Sequence, residues 1–132
     1  MNSKELKATD LRIGSWVLYR NYKGETNSDK SFHPLQIASG RQIDFLADHP
    51  KRYKPIEISP EWLEKIGFEL VDDYHTLYAN HFCIEISFFS DKPVLFLESN
   101  ENAPIEYVHQ LQNLYHSLTG QELTIKVYRY ER

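Results

Sequence analysis

Residues 81–89 read HFCIEISFF. In an extended chain, Phe82, Ile84, Ile86 and Phe88 fall on one side, and His81, Cys83, Glu85 and Ser87 on the other. A period of two with one apolar side predicts a strand in a sheet covered on one face. The neighbouring stretches Phe68–Val71, His75–Ala79 and Val94–Glu98 are also predicted strands. Asp72-Asp73 and Asp91-Lys92-Pro93 separate some of them, and these are turn-forming residues. Consecutive strands joined by short turns pair antiparallel.

Beyond these strands, Pro104–Leu118 predicts one long helix. In helical projection Ile105, Tyr107, Val108, Leu111, Leu114, Tyr115 and Leu118 form a broad apolar stripe. Glu106, Gln110, Asn113 and Ser117 lie opposite, so the stripe is expected to rest on the apolar face of the sheet. Thr119-Gly120 ends the helix. Leu123, Ile125 and Val127 then alternate as a final strand. If exposed, Leu123–Tyr130 would pair with its copy to make a homodimer. Ahead of the strands, Ser59-Pro60-Glu61 carries the marks of a helix start. Gly67 stops that short helix with Phe68 folding back, and Trp62, Leu63 and Ile66 form its expected buried side.

The first half of the chain reads as a small β unit. Gly14 precedes a run containing Trp16, Val17 and Tyr19, which favours a strand. Residues 21–32 are polar and read as a long loop. Leu35 and Ile37 alternate with polar neighbours, Ser39-Gly40 makes a turn, and Ile43 and Phe45 resume the alternation, which is a hairpin signature. A further short strand is expected at Ile56–Ile58. Strand, long loop, hairpin and short strand is the order of SH3-like barrels. The expected fold class is therefore α+β: an SH3-like small β-barrel unit over 1–58, followed over 59–132 by a linking helix and an antiparallel sheet packed against one long helix.

The 132 residues are 41% hydrophobic, 26% charged and 14% aromatic, a composition that builds a packed core and argues against disorder. No apolar run has the roughly 18 residues of a membrane helix. The polar start, MNSKELKATDLR, has no signal-peptide core, and one cysteine excludes an intrachain disulfide framework. A reducing, cytoplasmic setting is expected. Residues 1–55 carry 10 basic and 6 acidic side chains, whereas 56–132 carry 5 and 13. The densest basic stretch is Lys51, Arg52 and Lys54, with Tyr53 interleaved and His49 just before it. Cations beside rings hold phosphate and stack bases, so these four residues, 51–54, are a candidate nucleic-acid site. The net charge of −4 opposes it.

Chemistry-bearing patterns are few. His109 and His116 share one side of the long helix, but seven residues are about 10.5 Å of rise, too far for one metal ion. His81, Cys83 and Glu85 line one side of a strand, and a metal or enzymatic site there would need another ligand, such as His75. Asp72-Asp73 and Glu98/Glu101 sit beside turn residues, where carboxylates are usually solvated. A nucleophile elbow, a phosphate-binding glycine loop and a dinucleotide fingerprint are all missing. No catalytic residue, cofactor or metal is expected. The expected partner-binding residues are Trp16, Tyr19 and Tyr22 in the first unit, and His109, Gln112, Asn113 and His116 on the helix.

Three stretches, LRIGSWVLY (11–19), IEISPEWLEKIGF (56–68) and EYVHQLQNLYHSLTGQELTI (106–125), resemble a family of small uncharacterised proteins of bacterial genomes, prophages and bacteriophages. The matched segments total 42 residues, and VHQLQNLY followed by LTG is the most specific part. The resemblance implies an accessory protein of phage or mobile-element type inside a bacterial cell. The expected function is a non-enzymatic protein-interaction or accessory module with an unknown protein partner. Nucleic-acid binding through the basic half is the alternative, and a metal or enzymatic site on the His81/Cys83/Glu85 strand face is the third.

Overall fold

Trp16–Tyr19 forms the first strand, β1, as its β-branched and aromatic content favours. Gly14 precedes it at φ 103, a left-handed conformation that suits glycine. The computed structural model describes residues 6, 8–20, 32–79, 81–89, 92–98, 100–101 and 105–125. They fall into two compact units: Met1–Glu57 with Tyr107–His109, and Ile58–Glu106 with Gln110–Arg132.

In the first unit, β1 is the middle strand of three. It pairs antiparallel with β2 (His33–Gln36) and with β3 (Tyr53–Lys54), giving the order β2-β1-β3. The register sets Val17 opposite Leu35 and Tyr19 opposite Tyr53. The core gathers Leu6, Leu11, Val17, Ile37, Leu46 and Tyr53. Among the described residues this sheet is open and does not close into a barrel.

The hairpin expected over Leu35–Phe45 is corrected. Its second half is a helix, α1 (Gly40–Asp48). Ile43 and Phe45 are two apart and mimic strand alternation, but helical spacing brings Ile43 and Leu46 to one side. Leu46 is buried, with Ile43 and Phe45 packed on the same core. Ser39 stands extended at the N-cap, and the Gln42 carboxamide oxygen reaches back to accept the Ala38 N–H at 2.5 Å. That S-x-x-Q pattern is a helix start. His49 closes the helix, its backbone N–H donating to Leu46 and Phe45, and a 3-10 turn over Pro50–Arg52 follows. The strand expected at Ile56–Ile58 is reduced to an isolated bridge between Glu57 and Tyr107.

The second unit begins with α2 (Pro60–Ile66). The Ser59 hydroxyl accepts the Trp62 N–H at 3.2 Å, and Pro60 occupies the first turn. Gly67 is left-handed at φ 115, and the Phe68 N–H returns to the Leu63 carbonyl at 2.9 Å. Leu63, Ile66 and Phe68 are buried. Trp62 stays half-exposed, with the Lys65 ammonium 4.6 Å from its ring centroid.

Five strands follow as an antiparallel meander: β4 (Glu69–Val71), β5 (Tyr74–Ala79), β6 (Phe82–Ser87), β7 (Val94–Leu97) and β8 (Asn100–Glu101). Asp72, at φ 57, turns β4 into β5; short polar side chains tolerate that conformation. Ile84 and Ile86 are fully buried and Leu95 almost so. The last helix, α3 (Val108–Thr119), starts four residues later than expected. Val108 and Leu111 are fully buried, but so is Gln112, and His109 nearly so, whereas Leu114, Tyr115 and Leu118 are only half-buried. The buried side is therefore rotated towards His109 and Gln112 relative to the apolar stripe. Gly120, at φ 75, ends the helix with its N–H on the His116 carbonyl at 2.8 Å. Residues 121–125 are not a strand, although Leu123 is buried. The rest of the expected strand to Tyr130 lies outside the described residues. Among the described residues no helix is long and apolar enough to cross a membrane.

Truncating a fully buried leucine removes transfer energy and leaves a cavity. Leu111→Ala is expected to lower stability in urea unfolding by about 2–5 kcal/mol, and Leu114→Ala by clearly less. A Leu111 effect below about 0.5 kcal/mol would overturn this assignment of the buried side.

Candidate functional site

Directly opposed residues of an antiparallel sheet point to the same side, and the side alternates along each strand. In the second unit the register is Leu77–Ile84–Leu97 and His75–Ile86–Leu95 on one face. The opposite face carries Val71–Tyr74, Thr76–Glu85–Phe96, Tyr78–Cys83 and Ser87–Val94. This outer face is aromatic. The Tyr74 ring meets Phe96 and Phe89 edge-on, each with centroids 5.7 Å apart. Tyr78 is 77% exposed, Phe89 68% and Val71 51%, and Leu70, on the edge strand, is 64%. A cleft of about 250 Å³ opens at this edge between Gly67, Glu69, Val71, Thr76, Leu77 and Tyr78.

The same register places the His81/Cys83/Glu85 strand side and its neighbours. Cys83 faces Tyr78 across the β5–β6 pair. Partial burial pushes the Cys83 thiol up from its usual pKa, Glu85 adds to this, and the neighbouring Tyr78 hydroxyl acts the other way. The protonated thiol is a poor nucleophile and a poor metal ligand. The backbone N–H of Cys83 donates to the Glu98 carboxylate at 2.6 Å, and Glu98 itself sits left-handed at φ 54. These contacts close the end of the β6–β7 pairing. His75 points to the opposite face, where its ring meets Phe88 edge-on at 5.5 Å. It is therefore no fourth ligand. His81 is exposed in the turn before β6. Among the described residues no three His, Cys, Asp or Glu side chains are close enough to hold a metal ion. Asp72 and Asp73 are exposed turn residues.

In the first unit, cations and rings are interleaved. Arg20 and Lys54 both lie over the Phe32 ring, at 4.9 and 4.5 Å from its centroid. Arg52 lies 5.6 Å from the Phe45 centroid, and His49 stacks on Phe45 at 4.0 Å. Lys51 is exposed. Tyr53, expected beside the cations as a stacking ring, is instead buried at 5% exposure and tilted against Tyr19 at 5.1 Å. It serves the core and presents no face to a base. Burial and the neighbouring Tyr19 both push its phenol up in pKa.

The expected partner-binding residues separate. Trp16 is buried and Tyr19 half-buried in the core, and Tyr22 lies outside the described residues. On α3, His109 and Gln112 are buried, Asn113 is half-buried and His116 exposed, so these four do not share an exposed side. The His109 ring lies parallel to Tyr107 at 5.9 Å. Its Nδ1 is buried without a hydrogen-bond partner, and burial pulls its pKa below the usual 6.5, with Asp10 acting weakly the other way. Sequence reading missed Tyr74, Tyr78, Phe89 and Phe96 as one surface. The available signal was that residues opposite Cys83 and Glu85 must share their face. Comparison with protein-family models, curated proteins and solved structures finds no match for this chain.

A histidine whose folded-state pKa is depressed favours the native state while neutral. Its contribution is intact above about pH 6.5 and is lost as pH falls towards the lower folded-state value. The urea midpoint of the wild type should therefore drop between pH 7.5 and pH 5, and His109→Asn should flatten that drop. Equal pH slopes for both proteins would remove His109 as the cause.

Proposed function

We propose that the protein is a non-enzymatic protein-interaction module, an accessory protein of the phage or mobile-element type working inside a bacterial cell. The outer face of its five-stranded sheet is the contact surface. The observation that carries this reading is the grouping of exposed Val71, Tyr78 and Phe89 with Tyr74 and Phe96 on one sheet face. Isolated exposed apolar side chains are ordinary, but a set on one face marks a contact site. Tyrosine is especially suited, because it buries a large ring while keeping a hydroxyl for hydrogen bonding. The family resemblance agrees in kind.

Affinity capture from the lysate of the encoding bacterium, with nuclease added, tests this. Tyr78→Glu and Phe89→Glu should each abolish recovery of a partner held by the wild type while moving the urea midpoint little. Undiminished recovery with both variants would rule out the sheet face.

A second reading, nucleic-acid binding, draws on Arg20, Lys54 and Arg52 held over the Phe32 and Phe45 rings. Ring stacking restrains long cationic side chains and so lowers the ordering cost of phosphate contact. This reading expects labelled DNA or RNA to bind at about 50 mM salt, with affinity falling steeply as salt rises. Lys51→Ala and Arg52→Ala should weaken it for all sequences alike. No anisotropy change at low salt would dispose of it.

A further inference from the structure

We infer that the β4 edge of the second unit accepts an extended, basic peptide as an added strand, with one of its apolar side chains seated in the adjoining cleft. This rests on the protein-interaction reading and names the kind of partner.

Among the described residues, Glu69, Leu70 and Val71 end the strand order on one side, and all three are exposed. β4 joins β5 through the two residues Asp72 and Asp73, and Val71 faces Tyr74 across that turn. The closing pair of such a hairpin is hydrogen-bonded, so the next pair, Leu70 with His75, is not. The Leu70 N–H and C=O therefore point away from β5, and an incoming strand can bond both. Strand addition takes its affinity from such main-chain bonds and its selectivity from pockets for alternate side chains.

The pocket is present. The cleft is walled by Val71, Leu77 and Tyr78, with Thr76 and Glu69 as its polar members. Its volume of about 250 Å³ lies below the roughly 300–1,000 Å³ usual for small-molecule sites, a size for one or two side chains. Charge then selects the peptide. Glu69, Asp72 and Asp73 are exposed along this edge, and residues 56–132 carry 13 acidic against 5 basic side chains. A second copy paired through its own β4 would bring the same three carboxylates to the seam, which like-charge repulsion disfavours. A strand bearing lysine or arginine gains attraction there instead.

The test uses the full chain and a fluorescein-labelled peptide of about seven residues alternating lysine with leucine or valine. Two further peptides serve as comparisons: one with glutamate for lysine, and the basic one N-methylated on alternate backbone nitrogens. The basic peptide should bind at least about tenfold more tightly than either. Leu70→Pro, which removes an outward N–H at an edge position that tolerates proline, should abolish binding. Glu69→Lys with Asp73→Lys should reverse the charge preference. Equal binding of the acidic or N-methylated peptide by the wild type would overturn the inference whether or not Leu70→Pro folds. So would a dimer in sedimentation that dissociates with Leu70→Pro. A captured protein lost with Phe89→Glu but kept with Leu70→Pro would sink the edge and leave the sheet-face reading standing. Peptide binding with no captured partner would do the reverse.

Discussion

β6 lies between β5 and β7, and its pairing register constrains almost every other assignment in the second unit. A shift by one residue would carry Ile84 and Ile86 to the outer face and bring Cys83 and Glu85 inside. Burying a thiol and a carboxylate in place of two fully buried isoleucines would lose apolar burial and desolvate a charge. The register is thus enforced by the cost of its alternatives. The aromatic outer face follows from it, because Tyr78 must share a side with Cys83 and Phe96 with Glu85. The separation of His75 from Cys83 follows in the same way.

The first unit uses its charges differently. Its cations are drawn in from three places along the chain, Arg20 after β1, Arg52 in the 3-10 turn and Lys54 in β3, and are held over two phenylalanines. The rings hold the charged heads of these side chains in place. The same geometry limits base stacking, since Phe45 is already stacked by His49. Phosphate contact and structural bracing are therefore more compatible with this cluster than base recognition.

Elements governed by local rules were legible in the sequence. The α2 ends are set by Ser59, Pro60 and Gly67, and the structure uses all three as their chemistry dictates. The strands β4 to β7 appear where alternation and turn residues place them, within one or two residues. α1 escaped because Ser39-Gly40 reads as a turn and Ile43 and Phe45 satisfy a period of two by coincidence. On α3, apolarity ranked Leu114, Tyr115 and Leu118 with Leu111, yet burial also takes in polar His109 and Gln112. Which side of a helix is covered is decided by elements distant in the chain, and helical periodicity carries no information about them. For the same reason Arg20 and Phe32 could not be joined to Lys54 before the strands were paired, and β8 offered too few residues to show any period.

The chain holds a single cysteine, and the sheet places it on the outside of β6 beside the Tyr78 phenol. Any disulfide it forms must join two molecules, and would tie one outer sheet face to another. Bands of doubled mass on a gel run without reductant would then record ageing of the sample in air, and would mask the surface on which a partner is sought. Keeping a thiol reagent present, or replacing Cys83 by serine, separates storage chemistry from biological assembly.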